Sequence, residues 1–169
     1  MTYCIRGECP DDSLAIRQVT DAAFQRATRS NGREGVIVDD LRGAGALTVS
    51  LVATSDGRVV GHIAFSPVLI DGRDEGWFGL GPVSVLPEQQ RRGIGAALIT
   101  DGLARLKARG ARGCVVLGEP SYYQRFGFKR HPAVRYADAP PEYFLNLSFD
   151  GASPSGCVTY HNSFSGVDG

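Results

Sequence analysis

Two glycines and two arginines stand together in the stretch Gln90-Arg91-Arg92-Gly93-Ile94-Gly95-Ala96. An apolar run, Leu80-Gly81-Pro82-Val83-Ser84-Val85-Leu86, precedes it, alternates like a strand and stops at Pro87. Behind it, Ala97 to Arg109 has apolar residues at Ala97, Leu98, Ala104 and Leu106 and no proline, which predicts a helix. The glycines therefore sit where a strand hands over to a helix. There the first backbone N–H groups have no partner within the helix, and the helix dipole turns its positive end outward. Glycine lets the backbone come close to a ligand, and Arg91 and Arg92 add charge. The chemistry indicated is the binding of a phosphate or pyrophosphate.

Three phosphate-binding patterns compete for this loop. A P-loop needs a Gly-Lys-Ser/Thr ending, which is absent. A dinucleotide fingerprint wants a third glycine where Leu98 stands and an acid at the end of the next strand, to which Glu119 is a partial match. The third pattern, Gln/Arg-x-x-Gly-x-Gly/Ala between a strand and a helix, is met at every position from Gln90 to Gly95. A second segment, Leu117 to Phe128, places Tyr123 four residues before the pair Gly127-Phe128.

Taken together, these two motifs make the chain resemble a Gcn5-related N-acetyltransferase (GNAT). It is most similar to the branch with a Leu-Gly-(Glu/Asp)-Pro-x-Tyr-Tyr-x-(Arg/Lys)-Phe-Gly-Phe segment. The resemblance implies acetyl-coenzyme A as cosubstrate and an amine as acceptor. It implies that the backbone of Val83 and Val85, with Ser84 between them, hydrogen-bonds the pantetheine arm in the manner of an added strand. The N–H groups of Arg91, Arg92, Gly93, Ile94, Gly95 and Ala96, with the Gln90 side chain nearby, would then hold the pyrophosphate. Many members carry an asparagine in the following helix; here Ser121 is the nearest small polar substitute. Tyr123 corresponds to the family tyrosine beside the thioester sulfur and is the candidate general acid.

Acetyl transfer to an amine needs a neutral nucleophile, a stabilised oxyanion and a proton for the leaving thiolate. A lysine-like amine with a pKa of about 10.4 is neutral in only about one molecule in several thousand at pH 7, a handicap of roughly 4–5 kcal/mol. A base acting directly or through water would lower it. Glu119, at the end of a strand beside the cleft, is the candidate base, although a carboxylate at a helix entry is equally well explained by the dipole. His62 would relay a proton if it pointed into the cleft. Glu34, Asp39 and Asp40 lie near the second helix, where this fold places substrate contacts, and each also reads as part of a solvated helix face.

The elements around these residues follow from periodicity and turn chemistry. Tyr3 to Arg6 predicts a first strand. Pro10 to Ser13 is a turn rich in capping side chains, and Leu14 to Phe24 carries an amphipathic helical pattern. A polar break from Thr28 to Arg33 leads to a second helix, Glu34 to Arg42, ended by Gly43. Leu47 to Thr54, Val59 to Ile70 and Trp77 to Leu86 predict three strands joined by turns at Asp56-Gly57 and Asp71-Gly72. After the glycine loop and its helix, Gly113 to Leu117 predicts a strand parallel to the one ending at Leu86, joined by a right-handed crossover. Gly127 closes a short helix opened by Pro120 or Ser121, and Phe144 to Phe149 predicts a last strand. The expected class is a mixed α/β sheet: an antiparallel meander followed by a splayed parallel pair, as in the GNAT acyl-CoA N-acyltransferase fold. Antiparallel hairpins ahead of the crossover count against an all-parallel dinucleotide fold.

A length of 169 residues with 43% hydrophobic content suits one domain with a single core. Eighteen basic and eighteen acidic residues cancel, so no bulk field favours nucleic acid or an anionic membrane. The charge is uneven, with six basic residues and one acid between Gln90 and Arg112. The four cysteines show no metal-ligand spacing, so no metal is expected. The first residues have no apolar core of signal-peptide length, which suggests a cytoplasmic protein. Val158, Tyr160 and Phe164 give the tail after Gly151 something with which to dock, either on the domain or in a homodimer contact. Three functions remain: an acetyltransferase, a non-catalytic acyl-CoA sensor, and a nicotinamide-dependent oxidoreductase. A proton donor at sulfur favours the first.

Overall fold

The structure, a computed structural model, describes residues 2–25, 32–152 and 154–164. Positions 28–31 of the expected polar break lie outside the described residues, as does the end of the tail. The chain opens with β1 (Cys4–Gly7), α1 (Ser13–Phe24) and α2 (Glu34–Gly43). A meander follows, formed by β2 (Val49–Ser55), β3 (Arg58–Pro67), the two-residue β4 (Leu69–Ile70) and β5 (Trp77–Val85). Then come α3 (Ile94–Ala108), β6 (Gly113–Leu117), the single turn α4 (Pro120–Tyr123), β7 (Val134–Arg135), β8 (Phe144–Ser148) and β9 (Gly156–Thr159).

The main sheet has the order β1-β2-β3-β5-β6-β8, in which only the β5–β6 pair is parallel. Its α3 face is dry. Ile94, Leu98, Ile99, Leu103 and Leu106 recur at helical spacing and pack on Leu51, Ile63, Phe65 and Leu80 from the strands. Truncating any such fully buried side chain to alanine costs about 2–5 kcal/mol. The opposite face carries α1 and α2 over β2, β3 and β5, with Ile16, Val38 and Val52 forming a small core of their own.

The expected strand from Val59 to Ile70 is two strands. Pro67 ends β3, and the next N–H, that of Val68, is donated to Trp77 C=O at 3.0 Å. Proline has no donor to continue the ladder, and the chain passes into a second, three-stranded sheet of order β4-β9-β7. There β9 pairs antiparallel with β4 and parallel with β7. Beneath this small sheet a second core gathers Val68, Trp77, Val115, Val134, Phe144 and Val158. The capping role expected near Asp12 also differs: its carboxylate is bonded to Arg6 at 2.7 Å and to the Cys9 N–H at 2.7 Å, and it does not cap α1.

Candidate active site

The β5–β6 ladder has three rungs, Trp77↔Gly113, Phe78↔Cys114 and Gly79↔Val115. Beyond them the two strands keep only their outer partners. β6 continues against β8 to Leu117↔Phe144, and β5 continues against β3 to Val85↔Gly61. An opening therefore lies between Leu80–Val85 on one side and Val116–Leu117 on the other.

A bulge decides which groups of β5 line it. Ile63 faces Val83 while Phe65 faces Leu80, so β5 spends one residue more than β3 around Gly81 and Pro82. Gly81 has φ 141°, a conformation that a side chain would oppose. The extra residue shifts the alternation by one. Val83 and Val85 thereby share the α3 face with Phe78 and Leu80. The backbone parity follows from Leu86, whose N–H is donated to Val60 C=O at 2.9 Å on the β3 side. Ser84 matches Leu86 in direction, and the N–H and C=O groups of Val83 and Val85 point the other way, into the opening. Ser84 itself does not face the opening: it is buried, and its Oγ lies 3.4 Å from Thr20 Oγ1 of α1.

At the wide end of the opening stands the glycine loop. Gly93 is the N-cap of α3 with φ 84°, and Arg91 also has positive φ, 64°. The first helical bond runs from the Ala97 N–H to Gly93 C=O, so the N–H groups of Ile94, Gly95 and Ala96 have no acceptor within the helix. Arg91 and Arg92 are exposed beside them. These donors, the dipole and the two neighbouring arginines make a cationic end suited to an anion. The Gln90 side chain is turned back: its Nε2 donates to Val85 C=O at 3.1 Å, which fixes the last carbonyl of β5.

Across the opening, α4 starts at the end of β6. Glu119 is its N-cap; its carbonyl accepts from Tyr122 and Tyr123 at 3.1 and 3.0 Å, and its exposed carboxylate makes no capping bond. Ser121 is exposed on the same turn. Tyr123 is 9% exposed and packs edge-on against Tyr122 and Phe128, with ring centroids 5.1 and 5.8 Å away. Its ring lies so close over Gly118 that a Cβ there would collide with it. Burial, with smaller contributions from Tyr122 and Cys114, pushes the Tyr123 phenol up to about 12.

Over residues 47–130 the chain matches the family model of the acetyltransferase (GNAT) domain. It is 36% identical over 167 residues to the uncharacterized N-acetyltransferase YhbS of Escherichia coli K12, an alignment covering 95% of this chain and 97% of that protein. The chain belongs to the GNAT acetyltransferase family. By that membership it is an acyltransferase. A GNAT acetyltransferase from Brucella melitensis, crystallised with acetyl-CoA, is 56% identical with a TM-score of 0.87, over 96% of this chain and 98% of that one. YhbS from Escherichia coli, crystallised with CoA, is 35% identical with a TM-score of 0.83, over 96% and 91% of the two chains.

Two other candidates in this GNAT chain, His62 and Asp39, are bonded to partners of their own. His62 is fully buried beneath α1, its Nε2 2.8 Å from Ser50 Oγ, which in turn donates to Glu8 at 2.5 Å. Burial pushes its imidazole down to about 4, so it is neutral. Arg42 clasps Glu8 at 2.7 and 3.0 Å and also reaches Asp39 at 3.0 Å, while Arg17 holds the other Asp39 oxygen at 2.8 Å. Burial raises the Glu8 carboxyl, but bonds from Arg42 and Ser50 outweigh it and leave the group below its usual range. Asp39 is thus engaged in an ion-pair network, whereas Asp40 is exposed.

One residue near the GNAT loop escaped sequence reasoning. Tyr122 Oη lies 3.8 Å from where a Cβ of Gly95 would stand, and Arg125 stacks over its ring at 4.5 Å. It spans from α4 to the first turn of α3. The adjacent Tyr122-Tyr123 pair was the available signal: neighbours on a helical turn point about 100° apart, so one packs inward and the other reaches across. Among the described residues no group of side chains is suited to a metal ion, and no helix is long and apolar enough to cross a membrane.

Proposed function

We propose that the protein transfers an acetyl group from acetyl-coenzyme A to a primary amine of a small molecule or peptide by direct attack, within one domain spanning the chain. The carrying observation is the opening itself: the outward backbone groups of Val83 and Val85 lead to the free N–H groups at the start of α3. An extended pantetheine arm would pair with that edge, and its pyrophosphate would meet the N–H groups of the Arg91–Ala96 loop. The Brucella and Escherichia relatives, crystallised with acetyl-CoA and CoA, support this reading.

In the reaction the amine nitrogen forms a bond to the acetyl carbon, the C–S bond breaks, and the nitrogen loses a proton. Glu119, exposed just after β6, takes that proton directly or through water on this reading. Tyr123 faces the other half of the problem. With its phenol at about 12, complete transfer to a thiolate whose acid has a pKa of about 8.5 is uphill by roughly 5 kcal/mol. Tyr123 therefore acts as a hydrogen-bond donor that strengthens as charge develops on sulfur, and desolvation makes such a bond stronger than it would be in water.

Titration with acetyl-CoA followed by thiol release with a panel of primary amines tests the proposal. Saturable binding with amine-dependent thiol release is expected. Tight binding without acyl transfer to any amine would instead assign the chain to acyl-CoA sensing.

A further inference from the structure

On the face opposite α3, the segment from Arg130 to Phe144 and Cys157 of β9 line a half-open cavity of about 520 Å³. That volume lies within the range of about 300–1,000 Å³ common for small-molecule sites. Its apolar wall is built by Val134 and Phe144, both buried, and by the half-buried Tyr136. Its charged groups are of one sign: Arg130 and Arg135 line it together with His131, and among the described residues no carboxylate does. Neither arginine has an ion-pair partner among the described residues. Among the described residues the Arg135 guanidinium reaches only the Ala133 carbonyl, at 3.4 Å. The neighbouring Asp138 is exposed and lies outside the lining. His131 Nδ1 accepts from the Ala133 N–H at 3.2 Å, which holds the ring in place at the rim.

We propose that this cavity binds a small molecule with an apolar body and a carboxylate, its ring or chain against Phe144 and Tyr136 and its anion held by Arg130 and Arg135. Guanidinium groups match a carboxylate in geometry as well as charge. Two aromatic rings also link the cavity to the β5–β6 ladder. Tyr136 packs edge-on against Tyr160 at 5.1 Å, and the Tyr160 ring lies over Gly79, 2.5 Å from where a Cβ would stand. Gly79 is the last β5 residue paired with β6. On the acetyltransferase reading, the cavity is where the anionic end of an amine acceptor is anchored; the binding itself does not depend on that reading.

Calorimetric titration of the full chain with phenylacetate, and with uncharged phenylacetamide, tests this. Saturable phenylacetate binding is expected, with the amide roughly tenfold weaker or more, as for loss of a charge-assisted bond. The double variant Arg130→Ala, Arg135→Ala should lose affinity for phenylacetate by a similar factor while its Tm and its acetyl-CoA affinity stay unchanged. Cys157 lines the cavity and is half-buried. Phenylacetate should therefore slow its alkylation by iodoacetamide without slowing that of the exposed Cys4 and Cys9. No saturable phenylacetate binding, equal affinity for the amide, undiminished binding in the double variant, or an unprotected Cys157 would each overturn the assignment. Absence of acetyl-CoA binding by the unaltered chain would count against the acetyltransferase reading and not against this one.

Discussion

Gly79 and Val115 form the last rung between β5 and β6. Past them, the amides of Val83 and Val85 face open space, while that of Leu86 is tied to Val60. Amide hydrogen exchange should therefore be fast at Val83 and Val85 in the free protein and slow on adding coenzyme A. Equal protection with and without the cofactor would remove these residues from its site.

Tyr123→Phe keeps the ring that packs on Gly118, Tyr122 and Phe128 and removes only the hydroxyl. We expect kcat to fall by roughly 10²-fold or more, with cofactor affinity and Tm nearly unchanged. An unaltered kcat would take Tyr123 out of the chemistry.

Gly118→Ala tests the same hydroxyl from the other side. The added methyl collides with the Tyr123 ring, which must move. Displacement of a catalytic group by about 1 Å can cost roughly 10²-fold in rate, so kcat should drop while acetyl-CoA still binds. A variant with full activity would mean that the position of Tyr123 is unimportant.

Gly93→Val attacks the anion end. Gly93 holds φ 84° at the N-cap of α3, and a β-branched residue is strained there by roughly 1–3 kcal/mol. The loop should re-fold locally and coenzyme A affinity should fall at least tenfold. Calorimetry showing wild-type affinity would place the diphosphate elsewhere.

His62 links the fold to pH. Its folded value of about 4 lies below the ordinary 6.5, so the unfolded chain takes up the proton first. The stability from burying a neutral ring is complete above about pH 6.5 and is lost as pH falls towards 4, by roughly 3 kcal/mol. Urea unfolding should show this decline, and His62→Gln should flatten it over that window. Glu8, held below its usual range, acts at still lower pH. A variant with the same slope as wild type would show that His62 is not the group responsible.

The sequence alone determined the order of elements from β1 to α4, apart from the break between β3 and β4, and the place of the glycine loop, because both depend on local rules. Helical spacing defined α3, the turn residues Asp56-Gly57 and Asp71-Gly72 separated the strands of the meander, and two glycines marked the strand-to-helix handover. Tyr123 was legible only by likeness to a motif, since nothing in a single tyrosine says what its hydroxyl meets. Tertiary structure decided the rest. The bulge at Gly81 and Pro82 reverses the alternation, so period-two reading alone cannot say that Val83 and Val85, rather than Ser84, face the opening. His62 looked available on its strand but lies buried beneath α1, bonded to a serine that meets a carboxylate 42 residues away in the chain. The strand Gly156–Thr159 has no strong pattern of its own and exists because β4 and β7 offer it edges on both sides. Pairings between distant segments leave no local trace in the chain, which is why the loop could be read and the walls around it could not.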